Sequence, residues 1–150
     1  MKNNSVELKK IEHAKESEVL FELEKRAFFR EFDLPSRNTQ EQIDYLKESE
    51  VFALYENGMA VGFFAYRQGK DDVELLVIAV DPKKQGNGYG KIMMDRVLEL
   101  TQNQTVRLVT HPKNSGAIRF YLKSGFTISG WKENYYGDGQ PRLLLTYNSQ

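Results

Sequence analysis

Apolar residues in this chain recur with two different periods. Over SVELKKI they alternate weakly, which predicts a first strand. In ESEVLFELEKRAFF, Val19, Leu20, Leu23, Ala27 and Phe28 make one stripe at helical spacing. Pro35, in FDLPSRN, ends that pattern. Thr39 followed by Gln42 is a capping-box pair, and it starts a second helix over TQEQIDYLKES. Two apolar runs then flank Asn57-Gly58 in EVFALYENGMAVGFFAYRQG, a strong hairpin signal. VELLVIAV, rich in β-branched residues and apolar on both faces, predicts a central fourth strand. After it a glycine-rich stretch leads into a helix of roughly three turns. TVRLVTH reads as a fifth strand. NSGAIRFYLKSGF reads as a helix capped by Asn114 or Ser115 and stopped at Gly125. FTISGWKENYY and PRLLLTY predict a last hairpin around GDGQ.

The resulting order is β, α, α, three strands, α, β, α, two strands. It predicts one α/β domain with a mixed sheet, built mostly from hairpins with a helical crossover between strands four and five. No internal repeat or low-complexity linker divides the 150 residues.

Composition narrows the function classes. Lysine plus arginine equal aspartate plus glutamate at 21 each, so there is no basic excess for a nucleic acid. No apolar run reaches the roughly 20 residues that cross a bilayer. The segment MKNNSVELKKIEH has neither the apolar core nor the cleavage site of a signal peptide, which makes the cytoplasm the expected compartment. Cysteine is absent, which removes a cysteine nucleophile and thiolate metal sites. With His13 and His111 the only histidines, no metal is expected.

The chemistry is concentrated in AVDPKKQGNGYGKIMMDRVLEL, where Gly86, Gly88 and Gly90 stand at the passage from strand to helix. A helix start offers about four unpartnered N–H groups and a partial positive charge, and glycines let an anion approach them. The dinucleotide fingerprint fails, because its third glycine would fall on Lys91. The P-loop pattern fails as well, with Gln85 and Ile92 at the positions of its glycine and hydroxyl. The segment instead resembles the acetyl-CoA-binding motif of the GCN5-related N-acetyltransferases, Q/R-x-x-G-x-G/A, through Gln85, Gly88 and Gly90. NSGAIRFYLKSGF is similar to a second motif of that family through Asn114, Ala117, Tyr121, Gly125 and Phe126.

The resemblance covers nearly the whole chain. It implies about seven mixed strands with splayed central strands four and five, four helices, and acetyl-CoA as co-substrate. The pantetheine arm would lie along Ile78, Ala79 and Val80, with the Val80 N–H facing the thioester oxygen. The pyrophosphate would rest on Gln85, Gly86, Asn87, Gly88, Tyr89 and Gly90. Lys91 and Asn114 complete the cofactor set, and Lys83 and Lys84 add charge nearby. Tyr121 matches the tyrosine that protonates the departing thiolate. With no cysteine, direct attack by the amine in a ternary complex is the expected route.

A base must also neutralise the amine, whose pKa is about 10.4 for a lysine and about 8 for an α-amine. Glu74 resembles the glutamate of the family's histone acetyltransferases. Strict alternation would put it on one face with Leu76, Ile78 and Val80, where apolar neighbours would raise its pKa. In the ribosomal-protein N-terminal acetyltransferases that role belongs to a glutamate on strand five. Here Val109 stands there, followed by Thr110 and His111, a second candidate for proton relay. The resemblance implies an acceptor amine on a small molecule, peptide or protein, which would be met by Glu31, Phe32 and Tyr135, with Phe29, Asp33, Trp131 and Tyr136 nearby. A monomer or a homodimer is compatible with this reading. The alternative is an acyl-CoA sensor that keeps the fold without turnover, which an intact Tyr121 disfavours.

Overall fold

The structure is a computed structural model, and it describes residues 5–11, 20, 22–23 and 48–148. Seven strands form one sheet: β1 (Val6–Ile11), β2 (Glu50–Glu56), β3 (Met59–Gln68), β4 (Asp72–Val80), β5 (Thr105–Thr110), β6 (Thr127–Lys132) and β7 (Arg142–Asn148). Two helices are described in full, α1 (Tyr89–Leu100) and α2 (Ser115–Lys123). The two helices expected before β2 lie outside the described residues, except that Leu20, Glu22 and Leu23 are helical.

The sheet order is β1-β2-β3-β4-β5-β7-β6. The first four strands are an antiparallel meander, turned between β2 and β3 by Asn57 and Gly58 at positive φ, the geometry an Asn-Gly turn supplies. β5 joins β4 in parallel after α1, and β7 enters antiparallel between β5 and β6. The last two strands do form a hairpin. Their connection, however, spans residues 133–141, so Tyr135 and Tyr136 sit in the loop rather than on β6.

Core residues cover both faces. Leu54, Phe64, Tyr66, Val73, Leu75 and Ile78 meet Met93, Met94 and Val97 of α1 and Tyr121 of α2 on one side. Val51, Ala53, Phe63, Ala65, Val77 and Ala79 meet Leu20 and Leu23 on the other. β4 changes parity on the way. Against β3, Ala65 pairs with Val77 and Tyr66 with Leu75, so Leu76 is the extra residue of a bulge. Val73 and Leu75 therefore share a face with Ile78, and the expected alternation through Glu74, Leu76, Ile78 and Val80 does not hold.

Candidate active site

The hydrogen-bonded register of β4 with β5 runs only through Asp72–Thr105, Val73–Val106 and Glu74–Arg107. β5 stays paired with β7 along its whole length, and β4 stays paired with β3 to Val80. Past Glu74 the two central strands consequently part. At the open end lies a cavity of about 550 Å³, walled by β4, the glycine turn, the start of α1 and the inner side of α2. It brings together Ile78, Ala79, Val80, Gln85, Gly86, Gly88, Tyr89, Gly90, Lys91, Asn114 and Tyr121. Asn87 is not part of the wall; its amide donates to the Lys84 carbonyl at 2.8 Å and closes the turn from outside. The motif reading did not assign Ser115, Gly116 and Phe120 to this wall. Their signal was the Asn114 cap, which sets the start of α2 against the turn.

Asp81 opens the turn by accepting from the Lys83 N–H at 3.0 Å, and Pro82 begins a single 3-10 turn through Lys84. Gly86 and Gly88 then take φ of +86° and +80°, values that side-chain-bearing residues rarely adopt. Gly90 has a different reason: a Cβ there would stand 3.3 Å from the Phe120 ring, so its absence lets α1 and α2 approach. The first helical bond of α1 runs from Ile92 N–H to the Gly88 carbonyl at 3.1 Å. The N–H groups of Gly90 and Lys91 precede it and have no carbonyl one turn back to receive them. A Cβ built on Gly86 or Gly88 meets nothing within 4 Å, so the space over the turn is open. These donors and this space fit an anionic diphosphate.

Of the lysines expected near it, two are engaged. Lys91 pairs with Asp95 at 2.8 Å on the exposed face of α1, and Lys84 pairs with Glu56 at 2.8 Å. Tyr89 donates its hydroxyl to the other oxygen of Glu56. The hydrogen bond from Lys84, then that from Tyr89, holds the Glu56 carboxyl below the usual carboxylate range, and the same contact raises Lys84.

Tyr121 is buried, its ring packed against Phe120 at 5.6 Å and edge-on to Phe126 at 5.8 Å. Burial pushes its phenol above the ordinary tyrosine value, so it stays protonated through neutral pH. Asn114 caps α2 by accepting from the Ala117 N–H at 3.1 Å. Glu74 is exposed, on the face opposite α1 and α2, between Arg67 on β3 and Arg107 on β5 in register. The expected apolar surroundings of its carboxylate are thus corrected by the Leu76 bulge. His111 is buried; its Nδ1 accepts from the Lys113 N–H at 3.1 Å and its Nε2 lies 3.0 Å from the side-chain Oε1 of Gln140. The ring anchors the loop before β7 and is absent from the cavity wall. Tyr135 packs on Tyr136 at 4.7 Å, also outside the cavity, and Glu31 and Phe32 lie outside the described residues.

Residues 17–126 match the acetyltransferase (GNAT) family. The chain belongs to that family. This acetyltransferase is 28% identical over 121 residues to the ribosomal protein bS18-alanine N-acetyltransferase of Haemophilus influenzae, an alignment covering 79% of this chain and 80% of that one. It is 29% identical over 106 residues to a peptidyl-lysine N-acetyltransferase of Salmonella typhimurium, covering 69% of each. Its fold superposes on the crystal structure of the Escherichia coli ribosomal-protein-S18-alanine N-acetyltransferase with a TM-score of 0.80 at 20% identity, over 97% of this chain and 96% of that one. The acetyltransferase is an acetyl-CoA-dependent enzyme that modifies amines.

Proposed function

We propose that the enzyme acetylates amines of peptides or proteins by direct attack in a ternary complex. The observation that carries this reading is the parting of β4 from β5 after Glu74, which leaves a cavity with the glycine turn at its mouth and Tyr121 in its wall. Acetyl-CoA, when bound, supplies the activated acetyl group. The N–H groups at the start of α1 hold its diphosphate, and the backbone of β4 near Val80, unpaired toward β5, offers a donor to the thioester oxygen; one such donor is typically worth about 3 kcal/mol of barrier. Tyr121 gives a proton to the departing sulfur, since its phenol stays neutral where coenzyme A thiol, near pKa 8.5, begins to ionise. Glu74 takes the amine proton. It stands at the last paired position before the gap, accessible from the face opposite α1 and α2. The relatives' names support a macromolecular acceptor, one being named for a ribosomal-protein alanine and one for peptidyl lysine.

The test is incubation with labelled acetyl-CoA and peptides that differ in N-terminal residue and lysine content, followed by mass spectrometry. Label on peptide amines is expected. Label confined to small amines such as polyamines or amino sugars overturns the acceptor class. In the same assay Glu74→Gln should lower the rate at neutral pH. An unchanged rate assigns the proton to a water chain instead.

A further inference from the structure

Glu56 belongs to none of the motifs that point to the active site. It ends β2, just before the Asn57-Gly58 turn, and only 9% of it is exposed. Both of its oxygens are used: Oε1 receives the Lys84 ammonium at 2.8 Å and Oε2 receives the Tyr89 hydroxyl. Lys84 immediately precedes the glycine turn and Tyr89 immediately follows it, so one carboxylate ties together the two ends of Gln85–Gly88. Asn87 closes the same turn by its bond to the Lys84 carbonyl. Two glycines at positive φ make this backbone free in many conformations when nothing restrains it. Ordering such a turn on binding costs conformational entropy, and a turn ordered beforehand avoids that cost.

We propose that Glu56 is a positioning residue for acetyl-CoA: by holding Lys84 and Tyr89 on its two oxygens, it fixes the glycine turn with the N–H groups of α1 open to the diphosphate. This inference rests on the acetyltransferase reading of the cavity. It also assigns Lys84 a partner inside the protein, so that the diphosphate is met chiefly by backbone donors.

The test titrates coenzyme A into wild type, Glu56→Ala, Tyr89→Phe, Lys84→Met and the double variant Glu56→Ala/Lys84→Met, beside steady-state kinetics. The clamp predicts that each single change raises the Kd for coenzyme A, about tenfold for Glu56→Ala. KM for acetyl-CoA should follow it while kcat at saturation and KM for the acceptor hold. The double variant should be no worse than the worse single variant, because both remove one interaction. If Lys84 instead contacts phosphate directly, freeing it in Glu56→Ala tightens binding and the two losses fail to overlap; either result overturns the proposal. Should Glu56→Ala not fold, Tyr89→Phe decides, since it keeps the ring and removes only the hydroxyl. An unchanged Kd there overturns the clamp. Wild type that fails to bind coenzyme A would overturn the functional reading, a result distinct from wild type that binds and variants that match it.

Discussion

The Tyr121 ring lies against Phe120 and Phe126, so packing and chemistry share every atom of this side chain except the phenolic oxygen. Tyr121→Phe separates the two. The ring still fills its place, and acetyl-CoA should bind nearly as before. If the phenol protonates the departing thiolate, kcat falls, and general acids typically contribute about 10²- to 10⁴-fold. A thiolate leaves fairly well unprotonated, so a loss near 10²-fold, roughly 3 kcal/mol, is expected where chemistry limits turnover. A kcat within about threefold of wild type would return Tyr121 to the core alone. Because burial raises this phenol, its donor form persists into alkaline solution, and the alkaline limb of the rate profile should not report its ordinary ionisation. Sequence reading reached Tyr121 by its motif and Glu74 by its place on the strand. It missed which way Glu74 faces, because one inserted residue, Leu76, reverses parity, and no composition signal marks a bulge inside an apolar run.

At the scale of elements, the glycine-rich passage from β4 to α1 was legible in the sequence, and its three glycines proved to have two separate causes. Gly86 and Gly88 are set by backbone angle and Gly90 by the Phe120 ring, a contact between segments 30 residues apart that spacing alone does not reveal. Glu56 went unread for the same reason, since it stands 28 residues before Lys84 and only the folded sheet brings the pair together. Gly88→Val follows from the backbone cause. A β-branched residue at φ +80° costs about 1–3 kcal/mol of strain, and its side chain projects into the open space over the turn. The Kd for coenzyme A of the folded variant should rise by well over tenfold. An unchanged Kd, measured on folded variant by calorimetry, would mean that the diphosphate lies elsewhere.

Across the whole molecule the sheet is two blocks joined at a narrow waist. β1 to β4 form one meander, β5, β7 and β6 form the other, and only three residue pairs of β4 and β5 bridge them directly. The crossover was evident in the alternation of strand and helix patterns. The entry of β7 between β5 and β6 was not deduced, although its Leu143, Leu144 and Leu145 run beside the sparser TISGWK of β6 marks it as the inner strand. A ligand lying in the cavity would touch β4, the turn, α1 and α2 at once, and it finds no such site in the unfolded chain. Linkage then gives about 2.7 kcal/mol at acetyl-CoA 100-fold above its Kd. For a chain of this size that is a rise in melting temperature of roughly 5–10 °C, with amide exchange slowed in β4, α1 and α2 more than in β1. A melting curve unmoved by millimolar acetyl-CoA would separate this chain from the binding chemistry of its family, whatever its fold.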